Sequence, residues 1–562
     1  MNSISTLNQR PDFLGETHEV TNQPAALEDY NAYTGDPVLQ HWVNTFGGEW
    51  GEAQLGAYGA GVGGPLLAAG FAANHYKPEF NSHDRFGHRV DNIEFHPGYH
   101  QLMHFAKESG HHSLPWRQPG DGANVIRAAM LFMHTYADPG SNCPLSMTFA
   151  SVPALRHEPG LQAQWIDKIL TNEYDPRNVP FFEKNALTVG MAMTEKQGGS
   201  DVRANTTVAH PLGEDNGIPA YELVGHKWFC SAPMCDGFLV LAQTDKGMGC
   251  FLVPRWRPDG SKNPIQVQRL KDKAGNVSNA SSEVELRGAF GWRVGAEGKG
   301  MQTILQMVSA TRFDCMVSSA ALMNQAAREA LFHTSGRDAF GKRLHKQPMM
   351  QNVLADLALE AEAALALAMR VGHAMDRAPQ DAHEASFLRI ATAIGKYWIC
   401  KRAPQHTYEA MESIGAVGVI EDNVAARLYR EAPINAIWEG SGNIQCLDVL
   451  RVLQREPEAY RALQREFAKV RGRSAELDRL VDDIAAQVES ARHREYNARS
   501  LVEHFALALQ ASILLDKGDS EVASSFIQSR IAGVGGHMYG TLPDTVNCNY
   551  LVDRALPRVH RV

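Results

Sequence analysis

The apolar pattern of this 562-residue chain changes period twice. From about 41 to 190 apolar residues recur at helical spacing, as in Asn124 to Tyr136 and Pro153 to Leu170, with Pro- and Gly-containing breaks. Between about 191 and 292 the runs shorten to Tyr221–Phe229, Phe238–Gln243, Gly249–Pro254, Ile265–Leu270 and Glu283–Arg287, parted by Gly, Asp, Asn and Pro turns. Such runs predict a small antiparallel domain or barrel. From about 297 helical spacing returns, with Val353, Leu357, Ala361, Ala364, Leu365 and Ala368 marking one buried face. It resumes after Glu456-Pro457 with Leu463, Phe467, Val470, Leu477, Leu480, Ile484 and Val488, and Ser500 to Leu515 is apolar enough to be core. The expected fold is mostly α with a central antiparallel β domain. Its expected segments are an N-terminal arm (1–40), a helical domain (41–190), a β domain (191–295), a second helical domain (296–455) and a C-terminal helical domain (456–562).

A chain of this length exceeds one compact core. Its 44% hydrophobic and 21% charged residues are ordinary for a soluble protein. No apolar run approaches the roughly 20 residues of a membrane span. The first 20 residues mix Arg10 with Asp12, Glu16 and Glu19, unlike a signal or transit peptide. The expectation is a cytoplasmic protein that makes no membrane contact. The eight cysteines are scattered, with only Cys230 and Cys235 close in sequence, and no His-Glu-x-x-His arrangement occurs. Buried, reduced thiols and no metal are expected.

One glycine run is a decoy. Gly59-Ala60-Gly61-Val62-Gly63-Gly64 has the spacing of a dinucleotide fingerprint, but Glu49 to Tyr58 show no preceding strand. A loop before a helix from Pro65 is the expected reading.

Two distant segments carry the chemistry. Met193-Thr194-Glu195-Lys196-Gln197-Gly198-Gly199-Ser200-Asp201 sets hydroxyl and backbone donors around glycines that permit close approach to a ligand. Trp438-Glu439-Gly440-Ser441-Gly442-Asn443 places one carboxylate ahead of a Gly/Ser/Asn turn. Between them lie Gly225-His226-Lys227-Trp228-Phe229-Cys230-Ser231, Arg337-Asp338-Ala339-Phe340-Gly341 with Gln347, Gly415-Ala416-Val417-Gly418, and Arg427-x-Tyr429-Arg430. Taken alone, Met193–Asp201 is a glycine turn leading into a strand and Gly225–Ser231 an amphipathic strand.

Together, over roughly residues 95–450, these segments resemble the acyl-CoA dehydrogenases. The resemblance implies FAD, held by Met193, Thr194, Gly198, Gly199, Ser200, Phe229, Ser231, Ser441 and Asn443. Arg337 is implied to reach the FAD of a neighbouring subunit, and Phe340 and Gln347 are implied as cofactor-binding with it. Glu439 is implied as the base that takes the α proton of an acyl thioester while a β hydride leaves to the flavin, a role worth roughly 10²–10⁴ in rate. The chain departs from the family at Lys196-Gln197-Gly198, where Pro-x-Ala is common, and at Gly415–Gly418. Trp438, the Thr194–Asp201 run, the Leu270–Ser281 run and the C-terminal extension resemble the AidB branch of the family, flavoproteins of the bacterial response to DNA alkylation. That branch implies a homotetramer, double-stranded DNA binding through the C-terminal domain, and at most weak dehydrogenase activity.

Charge supports DNA binding only in part. From Arg451 onward there are 16 Lys/Arg and 15 Asp/Glu, leaving 38 against 48 in the rest. Arg461, Arg465 and Lys469 share a helix face, with Arg471 and Arg473 beyond, Arg492, Arg494 and Arg499 in a second group, and Arg451 at the junction. Arginine forks suit phosphate. Interleaved Glu458, Glu466 and Glu476 suit a solvated, ion-paired face equally. No base-reading motif is present, so binding would be non-specific and could associate the protein with the nucleoid. The competing reading is a conventional dehydrogenase of short or branched acyl-CoA, with the extension building the oligomer. A membrane-touching extension is a third.

Overall fold

The computed structural model describes residues 18–490 and 495–559. Arg492 and Arg494 fall outside the described residues.

The first helical part comprises α1 (Pro37–Thr45), α2 (Glu52–Gly63), α3 (Pro65–His75), α4 (Pro97–Glu108), α5 (Ala123–Ala137) and α6 (Pro139–Leu155), with a polar hairpin, β1 (Glu79–His83) and β2 (Arg89–Glu94), between α3 and α4. Asp36 starts α1 by accepting from the Val38 and Leu39 N–H groups, and Asp138 starts α6 by accepting from Ser141 N–H. The Gly59–Gly64 run is not a loop. It forms the last turns of α2, which breaks at Gly64. A Cβ on Gly63 would fall 1.9 Å from the Tyr30 carbonyl oxygen, so these glycines admit the N-terminal segment against the helix. The Pro153–Leu170 segment is likewise split. Pro153 lies in the last turn of α6, and a separate helical stretch follows from Pro159.

The β part comprises β3 (Val189–Ala192), β4 (Val208–Asp215), β5 (Ile218–Ser231), β6 (Gly237–Thr244), β7 (Gly247–Pro254), β8 (Ile265–Leu270) and β9 (Ser281–Val294). Pairing runs β6–β4–β5–β9–β7 and returns to β6, closing a barrel, with β8 added along β9 and β3 parallel to β6. Its core joins Leu223, Leu239, Phe251 and Trp292 to Phe149 of α6.

The second helical part is built on α7 (Gly300–Gly336), α8 (Pro348–Arg377), α9 (Ala382–Ile414), α10 (Val424–Glu431) and α11 (Gly442–Arg455). A tight hairpin of β10 (Asp338–Ala339) and β11 (Lys342–Arg343) separates α7 from α8. The extension adds α12 (Pro457–Ala468), α13 (Ala475–Glu489), α14 (Ala498–Lys517), α15 (Ser520–Phe526) and α16 (Cys548–Ala555). It is no separate bead, because Leu463, Phe467, Phe505 and Leu509 share one core with Leu365, Leu367 and Ile394. Arginines also pin it to α8. Arg530 pairs with Asp356 and Glu360, Arg554 with Glu362 at 2.8 Å, and Arg370 with Glu466 at 2.8 Å. These acids are buried, so losing one arginine would strand a charge.

Candidate active site

Glu439 sits in the turn before α11 with φ +58, in the left-handed region that few non-glycine residues occupy, and Gly440 follows at φ +99. Such a backbone persists only where its surroundings over-determine it. Three side chains do so by satisfying three consecutive carbonyls. Lys396 of α9 donates to Trp438 O at 2.8 Å and Gly440 O at 2.6 Å. Arg312 of α7 donates to Glu439 O at 3.0 Å, and Gln445 of α11 to both Glu439 O and Gly440 O. Asp448 in turn orients Arg312 at 3.0 Å. The Glu439 carboxylate accepts from Thr311 Oγ1 at 2.8 Å. Burial pushes its pKa up, and the Thr311 hydroxyl with the nearby Arg312 and Lys396 cations restrains the rise. None of Arg312, Lys396, Gln445 or Thr311 is picked out by the sequence reading. Their work is on backbone and on one carboxylate, and no local motif announces that.

The other candidate segments meet at the end of β5. Trp228 N–H donates to Thr194 O at 2.8 Å, which ties the two segments expected to hold a flavin. Phe229 is 44% exposed, large for an aromatic on a packed barrel. Gly198 has φ +147, and a Cβ on Gly199 would meet Thr194 Oγ1 at 2.7 Å. Glycine is therefore needed at both positions of the loop. Buried Glu195 anchors that loop, with Lys227 Nζ 2.8 Å away and the Thr206 and Thr207 N–H groups donating to it. Burial alone would raise its pKa, but these bonds pull it down to about 2. Met193 and Ser200 flank the anchor, and no hydrogen bond occupies the Ser200 side chain among the described residues. Ser231 Oγ lies 3.1 Å from Ser281 Oγ. Cys143 of α6 lies close enough to Ser231, Asn279, Lys273 and Glu439 for all four to act on its thiol. That thiol links the two segments into one candidate site. Its donors, glycine cradle and open aromatic fit a planar, acceptor-edged ring system such as a flavin.

Ser441 is the N-cap of α11 but makes no capping bond with its side chain. Asn443 Oδ1 accepts from Arg499 Nε of the extension at 2.8 Å.

The remaining candidates lie elsewhere. Arg337 follows α7, and at 1.5 Å per residue Gly336 stands roughly 37 Å along the helix from Thr311. Arg337 Nη1 donates to Asn22 O at 3.0 Å, and Gln347 Nε2 to Ala339 O at 2.8 Å. Phe340 crowns the hairpin at φ +52 and is 99% exposed.

Among the cations proposed for DNA, Arg461 pairs with Glu458, Lys469 with Glu466 at 2.7 Å, Arg471 with Asp482 at 2.7 Å and Arg451 with Asp448 at 3.7 Å. Arg465 and Arg473 are exposed and have no carboxylate in ion-pair range among the described residues. His383, Glu384 and Glu466 are close enough to share a cation. Arg370 already donates to both glutamates at 2.8 Å, so a guanidinium holds that place. All eight cysteines are free, six of them buried. Among the described residues no single helix is long and apolar enough to cross a membrane.

Comparison with known proteins agrees with this architecture. Residues 22–176 match the family described as adaptive response protein AidB N-terminal domain, 190–289 the acyl-CoA dehydrogenase middle domain, and 298–454 the acyl-CoA dehydrogenase C-terminal domain. The chain is 42% identical over 524 residues to the "Putative acyl-CoA dehydrogenase AidB" of Escherichia coli (strain K12), covering 93% of this chain and 96% of that one. It is 27% identical to acyl-CoA dehydrogenase family member 11 of Caenorhabditis elegans, over 94% of this chain and 84% of that one. The crystal structure of C. elegans ACDH-11 in complex with C11-CoA superposes with a TM-score of 0.82 at 25% identity, covering 92% of this chain and 94% of that one. The Bd2924 apo-form does so at 0.81 and 26%, covering 88% and 99%. The chain belongs to the acyl-CoA dehydrogenase family, in its AidB branch.

Proposed function

We propose that the protein binds FAD between the β5 wall and the Glu439 turn, and that Glu439 takes the α proton of a short or branched acyl-CoA in a weak dehydrogenation. The observation that carries this reading is the clamped, left-handed Glu439, whose carboxylate acts with Ser231 on the same Cys143 thiol. Bound FAD would accept the β hydride. The protein positions the base, partly buries it, and tunes its proton affinity through Thr311, Arg312 and Lys396. The C11-CoA complex of ACDH-11 supports an acyl-CoA as the ligand class. Arg337 and Phe340 stand too far along α7 to serve the same chain's site, which supports a homotetramer in which they serve a neighbour's.

We further infer that the extension binds double-stranded DNA without sequence preference, in a cytoplasmic, nucleoid-associated response to alkylation. Kinship with AidB supports this, and Arg465, Arg473 and Arg499 are its exposed contacts. Arg461, Lys469 and Arg471 could join only by leaving their carboxylates. That pairing favours a second reading, a conventional dehydrogenase whose extension serves assembly. Two titrations of the FAD-loaded tetramer separate the readings. Anaerobic acyl-CoA is expected to bleach the flavin slowly in the wild type and not in Glu439→Gln, with DNA anisotropy unchanged by that substitution. Rapid turnover with no DNA binding at low salt would establish the second reading instead.

A further inference from the structure

We propose that Lys273 sets the direction of a hydrogen-bond chain that makes Ser231 a donor into the flavin pocket. The inference rests on the flavin reading above and adds a positioning residue to it. Lys273 lies in the loop between β8 and β9. Its Nζ is 2.6 Å from Asn279 O and 2.8 Å from Ser281 Oγ. An ammonium donates and cannot accept, so Ser281 Oγ must be the acceptor. Ser231 and Ser281 are direct cross-strand partners on β5 and β9, which brings their hydroxyls to 3.1 Å.

On distance alone either serine could donate. The ammonium decides between them. It draws electron density from Ser281 Oγ, weakening it as an acceptor for a second proton and strengthening it as a donor. Ser281 is 3% exposed, and among the described residues its hydroxyl reaches no acceptor other than Ser231 Oγ. Its proton therefore goes to Ser231. With that lone pair filled, Ser231 turns its own proton outward, into the candidate site. Cys143 also faces this pair, but burial pushes its pKa up to about 12, so it stays a thiol and a weak acceptor. The stronger acceptors would be the ring nitrogens and carbonyls of a flavin.

Burial also pulls the pKa of Lys273 down to about 8. Glu431 of α10 acts against that fall, and Lys77, between α3 and β1, adds to it. The chain is thus directed at neutral pH and loses its charge in mild alkali. A neutral amine can accept, so the order of donors is then free to reverse.

The test uses full-length protein stripped of FAD and reloaded. FAD dissociation constants and the visible spectrum of the bound flavin are measured for the wild type, Lys273→Met, Lys273→Arg and Ser281→Ala. Lys273→Met and Ser281→Ala are expected to weaken FAD by about threefold to tenfold, the reach of one net hydrogen bond. Both should shift the flavin band in the same direction, and Lys273→Arg should restore it. The wild-type spectrum should titrate near pH 8, and that of Lys273→Met should not. Wild-type affinity and spectrum in both Lys273→Met and Ser281→Ala would overturn the inference while leaving the flavin reading intact. A wild-type protein that binds no FAD would overturn the reading itself and the inference with it. Should Lys273→Met fail to fold, Ser281→Ala decides alone, since it removes one oxygen from a buried site.

Discussion

Glu439 shows how an ordinary carboxylate acquires a task. Its carboxyl is partly buried, which favours the protonated form, and among the described residues Thr311 is the one hydroxyl that donates to it. A base must be ionised to act, so the rate should rise with pH through its pKa. The Thr311 bond lowers that pKa, and deleting it must raise it. Thr311→Val is therefore expected to move the acid limb of the pH–rate profile upward by roughly one unit, the worth of one hydrogen bond to a charged group. An unmoved limb would show that another group sets it. Glu439 is legible from sequence because Trp-Glu-Gly-Ser-Gly-Asn is a compact motif. Thr311 is not, because it lies in a long helix whose neighbours give no hint that one hydroxyl faces a turn 128 residues later.

At the scale of elements, the catalytic turn is a strained segment between two helices, held by donors from α7, α9 and the following α11. Lys396 is 1% exposed and satisfies two carbonyls at once. Lys396→Met should leave Trp438 O unpaired, at about 1–3 kcal/mol, and Gly440 O held by Gln445 alone. The expected outcome is faster amide hydrogen exchange across residues 434–445, with the α12–α16 helices unaffected. Uniform protection there would mean that Arg312 and Gln445 suffice. The extension invites a different test. Among the described residues Arg465 and Arg473 are exposed without carboxylate partners, whereas Arg461 and Arg471 are paired. Reversing Arg465 and Arg473 together to Glu should weaken DNA binding and flatten the log–log salt slope by about 2, one per phosphate contact. Arg461→Ala should do much less. An effect of equal size from Arg461→Ala would show that ion pairing on the free protein does not predict the DNA surface. Long periodic helices such as α8 were legible, and so were the strands with apolar runs. Missed were β3, too short and wholly buried to alternate, β4, polar and carrying Pro211, and the polar β1–β2 hairpin. In each, pairing with a partner strand rather than local pattern decides the conformation.

The whole molecule separates two halves of what the family motifs put in one list. Ser231 and Glu439 both act on the Cys143 thiol, and Thr194 is tied to β5 beside Phe229 through the Trp228 N–H. Arg337, Phe340 and Gln347 cluster at the far end of α7, where the β10–β11 hairpin holds Phe340 almost fully in solvent with a left-handed backbone. A bare aromatic on a constrained turn is costly in an isolated chain and reasonable at an interface. The sequence could name these residues but not divide them, because the division depends on the length of one helix. Phe340→Asp is expected to shift the sedimentation coefficient from that of a tetramer to that of a smaller species. It should lower bound FAD in the same preparation, while the fold measured by circular dichroism stays unchanged. If the assembly loosens and FAD remains stoichiometric, the hairpin builds the oligomer without touching the cofactor. If neither changes, Phe340 faces solvent in the native assembly and the FAD site is complete within one chain.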